Sequence, residues 1–176
     1  LRDIRAVTDA ALSHLAADDL LTTLLSRVRE ILDADTAAVL LLDNSGRQLI
    51  ATAASGLEEE VSQGVRIPVG RGFAGRIAAG RRPVILDHVD HGNVLNPILY
   101  EKGITSLLGV PLLTAGAVLG VLHVGTLSRR HFTEQDAALL QLVADRVSSA
   151  AQSRLAQAES TAAEVMRRNL LPATLP

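Results

Sequence analysis

Apolar residues recur along this chain at two spacings. Leu21, Leu24 and Leu25, Val28, and Ile31 and Leu32 form one helical stripe after Asp18 and Asp19, which can cap it. Ile4, Val7, Ala11 and Leu15 form an earlier stripe, so two N-terminal helices are expected. Thr36 to Leu42 is a continuous apolar run, the pattern of a central strand buried on both faces. Asp43-Asn44-Ser45-Gly46 is turn chemistry, and Arg47 to Ala54 returns as the second arm of a hairpin. Gly56 and the acidic Glu58-Glu59-Glu60 read as a solvated connection. Val65, Ile67 and Val69 then alternate with Arg66 and Pro68 as in an edge strand.

Gly70 and Gly72 break that strand, and Phe73, Ile77 and Ala78-Ala79 follow at helical spacing. Gly80 stands where a helix C-cap belongs, before the extended Pro83-Val84-Ile85-Leu86. Gly70-Arg71-Gly72-Phe73-Ala74-Gly75 satisfies G-x-G-x-x-G, with Asp87 and Asp90 near the distance of a dinucleotide site's acid. The spacing argues against that site. A parallel crossover needs a dozen or more residues, and only about two helical turns fit here. The glycines are expected to serve a tight strand-to-helix turn.

Residues 87–97 are a polar loop, followed by a helical turn through Ile98, Leu99 and Tyr100 that Gly103 ends. Ser106 to Leu113 and Val118 to Thr126 flank Thr114-Ala115-Gly116, which predicts a second hairpin. Thr133-Glu134-Gln135-Asp136 is an N-cap with acids in the first turn, opening a helix that runs to about Leu170. Such a helix would reach roughly 50 to 55 Å, beyond a body some 35 to 40 Å across. Ala151, Leu155, Ala158, Ala162 and Val165 continue along the overhang at alternating spacings of 4 and 3. That seam predicts a parallel homodimer, helped by Ile4 and Val7 in the N-terminal helices.

Composition narrows the function classes. The 176 residues are 48% hydrophobic and 20% charged, enough for one cored domain with an appendage. A net charge of −2 with scattered basic residues gives no footprint for nucleic acid. One Tyr, two Phe and no Trp give no platform for stacked bases. The absence of cysteine excludes disulfides, zinc-thiolate sites and thiol nucleophiles, and fits a cytoplasmic location. No apolar run is long enough to span a membrane. Leu1 at the start and Met166 as the only methionine point to a segment of a longer chain.

The order helix, helix, hairpin, strand, short helix, strand, loop, hairpin, long helix resembles a GAF domain over about Asp19 to Leu155. The resemblance is carried by Ile67-Pro68-Val69-Gly70-Arg71-Gly72 with Gly75, and by Arg81-Arg82-Pro83-Val84-Ile85-Leu86-Asp87. Further along, Ser106 to Leu112, Leu119-Gly120-Val121-Leu122 and Phe132-Thr133-Glu134-Gln135-Asp136 carry it as well. It implies an α+β fold: an antiparallel sheet of about six strands, terminal helices on one face, and a small-molecule pocket on the other beneath short helices. Phe73, His88, Val89, Leu95, Tyr100 and His123 are then the candidate ligand-binding residues. The domain boundaries are an N-terminal helix over 1–17, a GAF-like domain over 18–155, and a coiled-coil linker over 156–176. Met166 to Pro176 resembles the lead into bacterial type 2C serine/threonine phosphatase domains, with no catalytic domain in the chain itself.

Among candidate chemistries, Asp87, His88, Asp90 and His91 place four N and O donors within five residues, on a loop that nothing in the spacing makes convergent. A solvated pocket lid is the expected role there. His123 interrupts an apolar strand and reads as a core histidine with a satisfied hydrogen bond, while His14 and His131 lie at helix edges. Haem-binding members of the family carry a proximal histidine where this chain has Leu99-Tyr100-Glu101-Lys102, and bilin-binding and sulfoxide-reducing members use cysteines absent here. The Asn-Lys-x-Asp signature of cyclic-nucleotide binders is also missing, so the cofactor is left unknown. No serine sits in a nucleophile elbow, so no catalysis is expected of this segment. Two readings stay open: a sensor module that regulates an attached phosphatase or another signalling enzyme such as a histidine kinase, and a purely structural dimerisation module with a collapsed pocket.

Overall fold

The computed structural model describes residues 19–170, and within that range only the backbone at 153, 154, 157–162 and 168–170. Ile4, Val7, His14 and the residues after Leu170 lie outside it, as do the side chains of Ala158 and Ala162. Helix α1 covers 19–32. Strands β1 (Thr36–Leu42) and β2 (Gln48–Ser55) form the first hairpin; α2 (Glu58–Ser62), β3 (Arg66–Pro68), α3 (Gly72–Gly80), β4 (Val84–Leu86) and α4 (Pro97–Glu101) follow. Strands β5 (Ser106–Thr114) and β6 (Ala117–Thr126) make the second hairpin, and α5 (Glu134–Leu170) closes the order.

The six strands form one sheet in the order β3-β2-β1-β6-β5-β4, every neighbouring pair antiparallel. The strands on either side of α3 therefore occupy opposite edges of the sheet, and the segment carrying the helix crosses from one edge to the other. This removes the parallel strand pair that a dinucleotide-binding crossover requires. The glycines have packing roles instead. A Cβ on Gly75 would lie 2.2 Å from the Pro68 carbonyl oxygen, and one on Gly109 in β5 would lie 2.4 Å from Ile77 Cδ1 on α3. At the end of α3 the left-handed residue is Arg81 (φ 55°), not Gly80, and its N–H closes the last turn on Ile77 O.

Alternation sorts the central strands onto two cores. Ala37, Val39 and Leu41 of β1, Leu108, Val110 and Leu112 of β5, and Leu122 and Val124 of β6 meet α1 and α5. The intervening Ala38, Leu40, Leu107 and Val121 meet α3 and the loop before α4. The apolar run in β1 is thus buried on both faces, as its sequence predicts. On α1 the buried stripe is Leu21, Leu25, Val28 and Leu32, narrower than the periodicity suggests, since Ile31 is 51% exposed.

Helix α5 begins with a reciprocal cap. Asp136 N–H donates to Thr133 Oγ1 (3.1 Å), and Thr133 N–H donates to Asp136 Oδ2 (2.9 Å). Ala137, Leu140, Ala144, Val147, Ala150 and Ala151 are buried against the sheet, and Leu155 is the last of the described side chains packed on that core. Residues 163–167 are all exposed. At 37 residues the helix is about 55 Å long, so its second half extends past the packed core. Ala151 is fully buried within its own protomer, which takes it out of any seam between copies.

Candidate functional site

The charge run after Gly56 is not a solvated connection. It forms α2, and its three acids have different roles. Glu58 Oε1 accepts from Gly56 N–H (2.9 Å), and Glu59 accepts twice from Lys102 Nζ (2.7 and 2.9 Å), tying α2 to the end of α4. Glu60 turns inward and is only 1% exposed. A signal for this exists in the sequence. Leu57 and Val61 are one helical turn apart, and Glu60 shares their face.

Inside, Asn96 Nδ2 donates to Glu60 Oε1 (2.5 Å). Asn96 is placed by its second role as the N-cap of α4, where Oδ1 accepts from Ile98 N–H (3.1 Å) just before Pro97. His123 reaches the same space from β6, with Nε2 4.0 Å from Glu60 Oε1 and its ring edge-on to Phe73 at 5.8 Å. Two polar atoms in this group have no partner: Glu60 Oε2 and His123 Nδ1. The sequence expectation of a satisfied histidine is therefore corrected. These three polar residues and Phe73 line a cavity of ≈ 20 Å³ together with Leu40, Ile67, Ala74, Val94, Leu95 and Leu99. That is room for about one water molecule.

Burial sets the protonation states. It raises the Glu60 carboxyl to about 7, against the opposing hydrogen bond from Asn96 and with help from the charge on Glu59. Burial also lowers His123 to about 4. Between those values both groups are neutral, so their 4.0 Å approach is not an ion pair. Above about 7 the site holds a carboxylate beside a neutral imidazole.

Of the residues expected to bind a ligand, Phe73, Leu95 and His123 line this cavity and His88, Val89 and Tyr100 do not. His88 is exposed, and its carbonyl accepts from Asn93 Nδ2 (2.9 Å). Val89 is buried, and its N–H donates to Thr105 O (2.8 Å). The Tyr100 hydroxyl donates to the carbonyls of Asp90 and Val94, and His91 stacks on its ring at 4.1 Å. Tyr100 thus fastens the loop from outside. Asp90 Oδ1 accepts from Gly92 and Asn93 N–H, while the Asp87 carboxylate faces His131 at 3.3 Å. The four donors in this loop do not converge. Among the described residues no group of three or more His, Cys, Asp or Glu side chains could hold a metal ion. Glu60 and Asn96 are the site residues that sequence reasoning missed.

Fold and site together define an α+β domain whose antiparallel sheet separates a helical face from a small polar cavity under short helices. The chain belongs to the GAF domain family, whose model matches residues 14–152. The chain is 33% identical over 92 residues to the HTH-type transcriptional activator RamA of Corynebacterium glutamicum, a match over 50% of this chain and only 32% of that regulator. Among solved structures, the GAF domain of a phosphoenolpyruvate-protein phosphotransferase from Coxiella burnetii aligns over 91% of this chain and 96% of its own, with a TM-score of 0.69 and 22% identity. The second GAF domain of DevS from Mycobacterium smegmatis aligns over 84% and 99%, with a TM-score of 0.63 and 22% identity. At those identities the structural likeness speaks for the fold alone. No described helix is long and apolar enough to cross a membrane.

Proposed function

We propose that this domain is the small-molecule-responsive regulator of an attached output domain, a bacterial type 2C serine/threonine phosphatase, and that it works as a homodimer joined along the distal half of α5. The observation that carries this is the double role of β6. His123 projects into the cavity, while its neighbours Leu122 and Val124 support α1 and α5 on the other face. A ligand that moves His123 or Phe73 therefore changes the surface on which α5 rests. The coupling requires a ligand that favours one helix arrangement over the other. In α5, Gln141 Nε2 also donates to Pro111 O of β5 (3.1 Å), which fixes the helix to the strand beside β6. The phosphatase assignment rests on the sequence Met166 to Pro176, and the dimer on Leu155, Ala158, Ala162 and Val165.

The test is phosphate release from a phosphoserine peptide by the full-length protein, with and without His123→Leu. An active phosphatase whose rate changes with that substitution supports the reading; a chain without phosphatase activity overturns the choice of output. A second output is favoured by the RamA match: a DNA-binding domain, which operator-length duplex DNA would capture in place of peptide.

A further inference from the structure

The strongest unexplained chemistry in the molecule is the cavity's buried carboxyl. Glu60 is 1% exposed, uses one oxygen on Asn96, and leaves Oε2 without a partner. His123, 2% exposed, lines the same cavity and leaves Nδ1 without a partner, while its Nε2 is the ring nitrogen that faces Glu60, 4.0 Å from Oε1. Buried polar atoms are nearly always paired, so two orphans around one space mark a place where something else completes the set. No lysine or arginine is among the described residues that line it. Its single ionisable acid therefore has no internal counter-charge.

We propose that this cavity takes the protonated amino head of a small organic cation, with the head donating to the Glu60 carboxylate and the His123 imidazole and the tail lying against Leu95. The proposal rests on reading the cavity as the domain's ligand site and deepens it to a chemical class. Three features fit. Glu60 and a neutral imidazole nitrogen both accept hydrogen bonds, which an ammonium or guanidinium donates and an anion does not. The space of ≈ 20 Å³ suits a group about the size of water, so an ammonium head fits without rearrangement, whereas the larger guanidinium requires the lining to give. The tail has one way out. Leu95 is 43% exposed while also lining the cavity, and it sits on the positive-φ Gly72 at the start of α3, where a Cβ would come within 2.8 Å of Leu95 Cγ.

The experiment is titration calorimetry and thermal unfolding of the intact chain with methylammonium, n-butylammonium and n-butylguanidinium, against n-butanol and butyrate of matched size. The cations should bind and raise the unfolding temperature, and Glu60→Gln should weaken them about tenfold or more, the usual loss on removing a charge-assisted hydrogen bond. Gln keeps the acceptor for Asn96, so the fold should survive, as circular dichroism would show. Leu95→Trp leaves the polar set intact and should weaken n-butylammonium more than methylammonium.

Cations that bind Glu60→Gln as well as the parent overturn the proposal. So does stabilisation by butyrate or butanol alone, which would still leave the cavity a ligand site. A high-resolution crystal structure with a fixed water between Glu60 and His123, unchanged by an n-butylammonium soak, also overturns it. Cation binding that leaves phosphate release unaltered would support this inference and overturn the regulatory reading instead.

Discussion

The two faces of the sheet are built from alternate residues of the same strands, yet they follow opposite rules. Under α1 and α5 the buried contacts are Leu, Val and Ala with one aromatic ring, Phe132, and the one buried polar side chain among the described residues of α5, Ser148, is satisfied by its own helix through Ala144 O (2.8 Å). Under the short helices, Glu60, Asn96 and His123 interrupt an equally apolar lining, and two of their atoms are left unpaired. On the helical side a single unpaired buried polar atom occurs among the described residues, Arg29 Nε of α1. The other side carries a cost that stability alone does not explain, the pattern expected where function has been placed.

That contrast can be broken most severely on the helical face. Leu140→Ala removes a fully buried side chain and should cost about 2 to 5 kcal/mol in urea unfolding. A smaller loss would mean that α5 is loosely seated. Gly75→Ala comes next, since its Cβ would meet the backbone of Pro68 at 2.2 Å. A cost of about 1 to 3 kcal/mol is expected, with α3 displaced from the edge strand.

On the pocket face the sign should reverse. Glu60→Gln removes the burden of ionising a buried carboxyl and should stabilise the protein by roughly 1 to 3 kcal/mol at about pH 8. Destabilisation would show that the carboxylate is already paired. The pH profile sharpens this. Glu60 is raised from 4.5 to about 7, so the folded state holds its proton longer and stability falls as pH rises through that interval. His123 is lowered from 6.5 to about 4, so stability rises with pH between those values. The slopes oppose one another between about 4.5 and 6.5, leaving a flat region followed by a decline towards 7. Glu60→Gln should uncover the rising limb, and His123→Leu the falling one.

The smallest effect should come from Lys102→Met. Its ion pair with Glu59 is solvent-screened, so a shift barely resolved by the same unfolding curves is expected. A large effect would make the α2–α4 link a second determinant of the pocket.

The strands and long helices were legible because their signals are local and repeated. The apolar run of β1, the turn at Asp43 to Gly46 and the Thr133 cap each specify their element within a few residues. The G-x-G-x-x-G motif was legible only through its spacing. Helix α2 was less so, because three consecutive glutamates look solvated whichever of them turns inward. Tyr100 and His88 looked like pocket residues because they flank it in sequence, yet side-chain direction sends one to the loop carbonyls and leaves the other in solvent.

The sequence by itself determined the periodicities, and with them which residues are strand, which are helix and which face of each is apolar. Tertiary structure decided which polar residues meet. Glu60 and Asn96 are 36 positions apart, and His123 is a further 27 along the chain. Only the strand order that brings β6 beside β1, with α2 and α4 folded over the same face, brings the three together. The desolvation that shifts their protonation belongs to that assembled cavity, because a carboxyl's cost depends on what surrounds it and not on its neighbours in sequence.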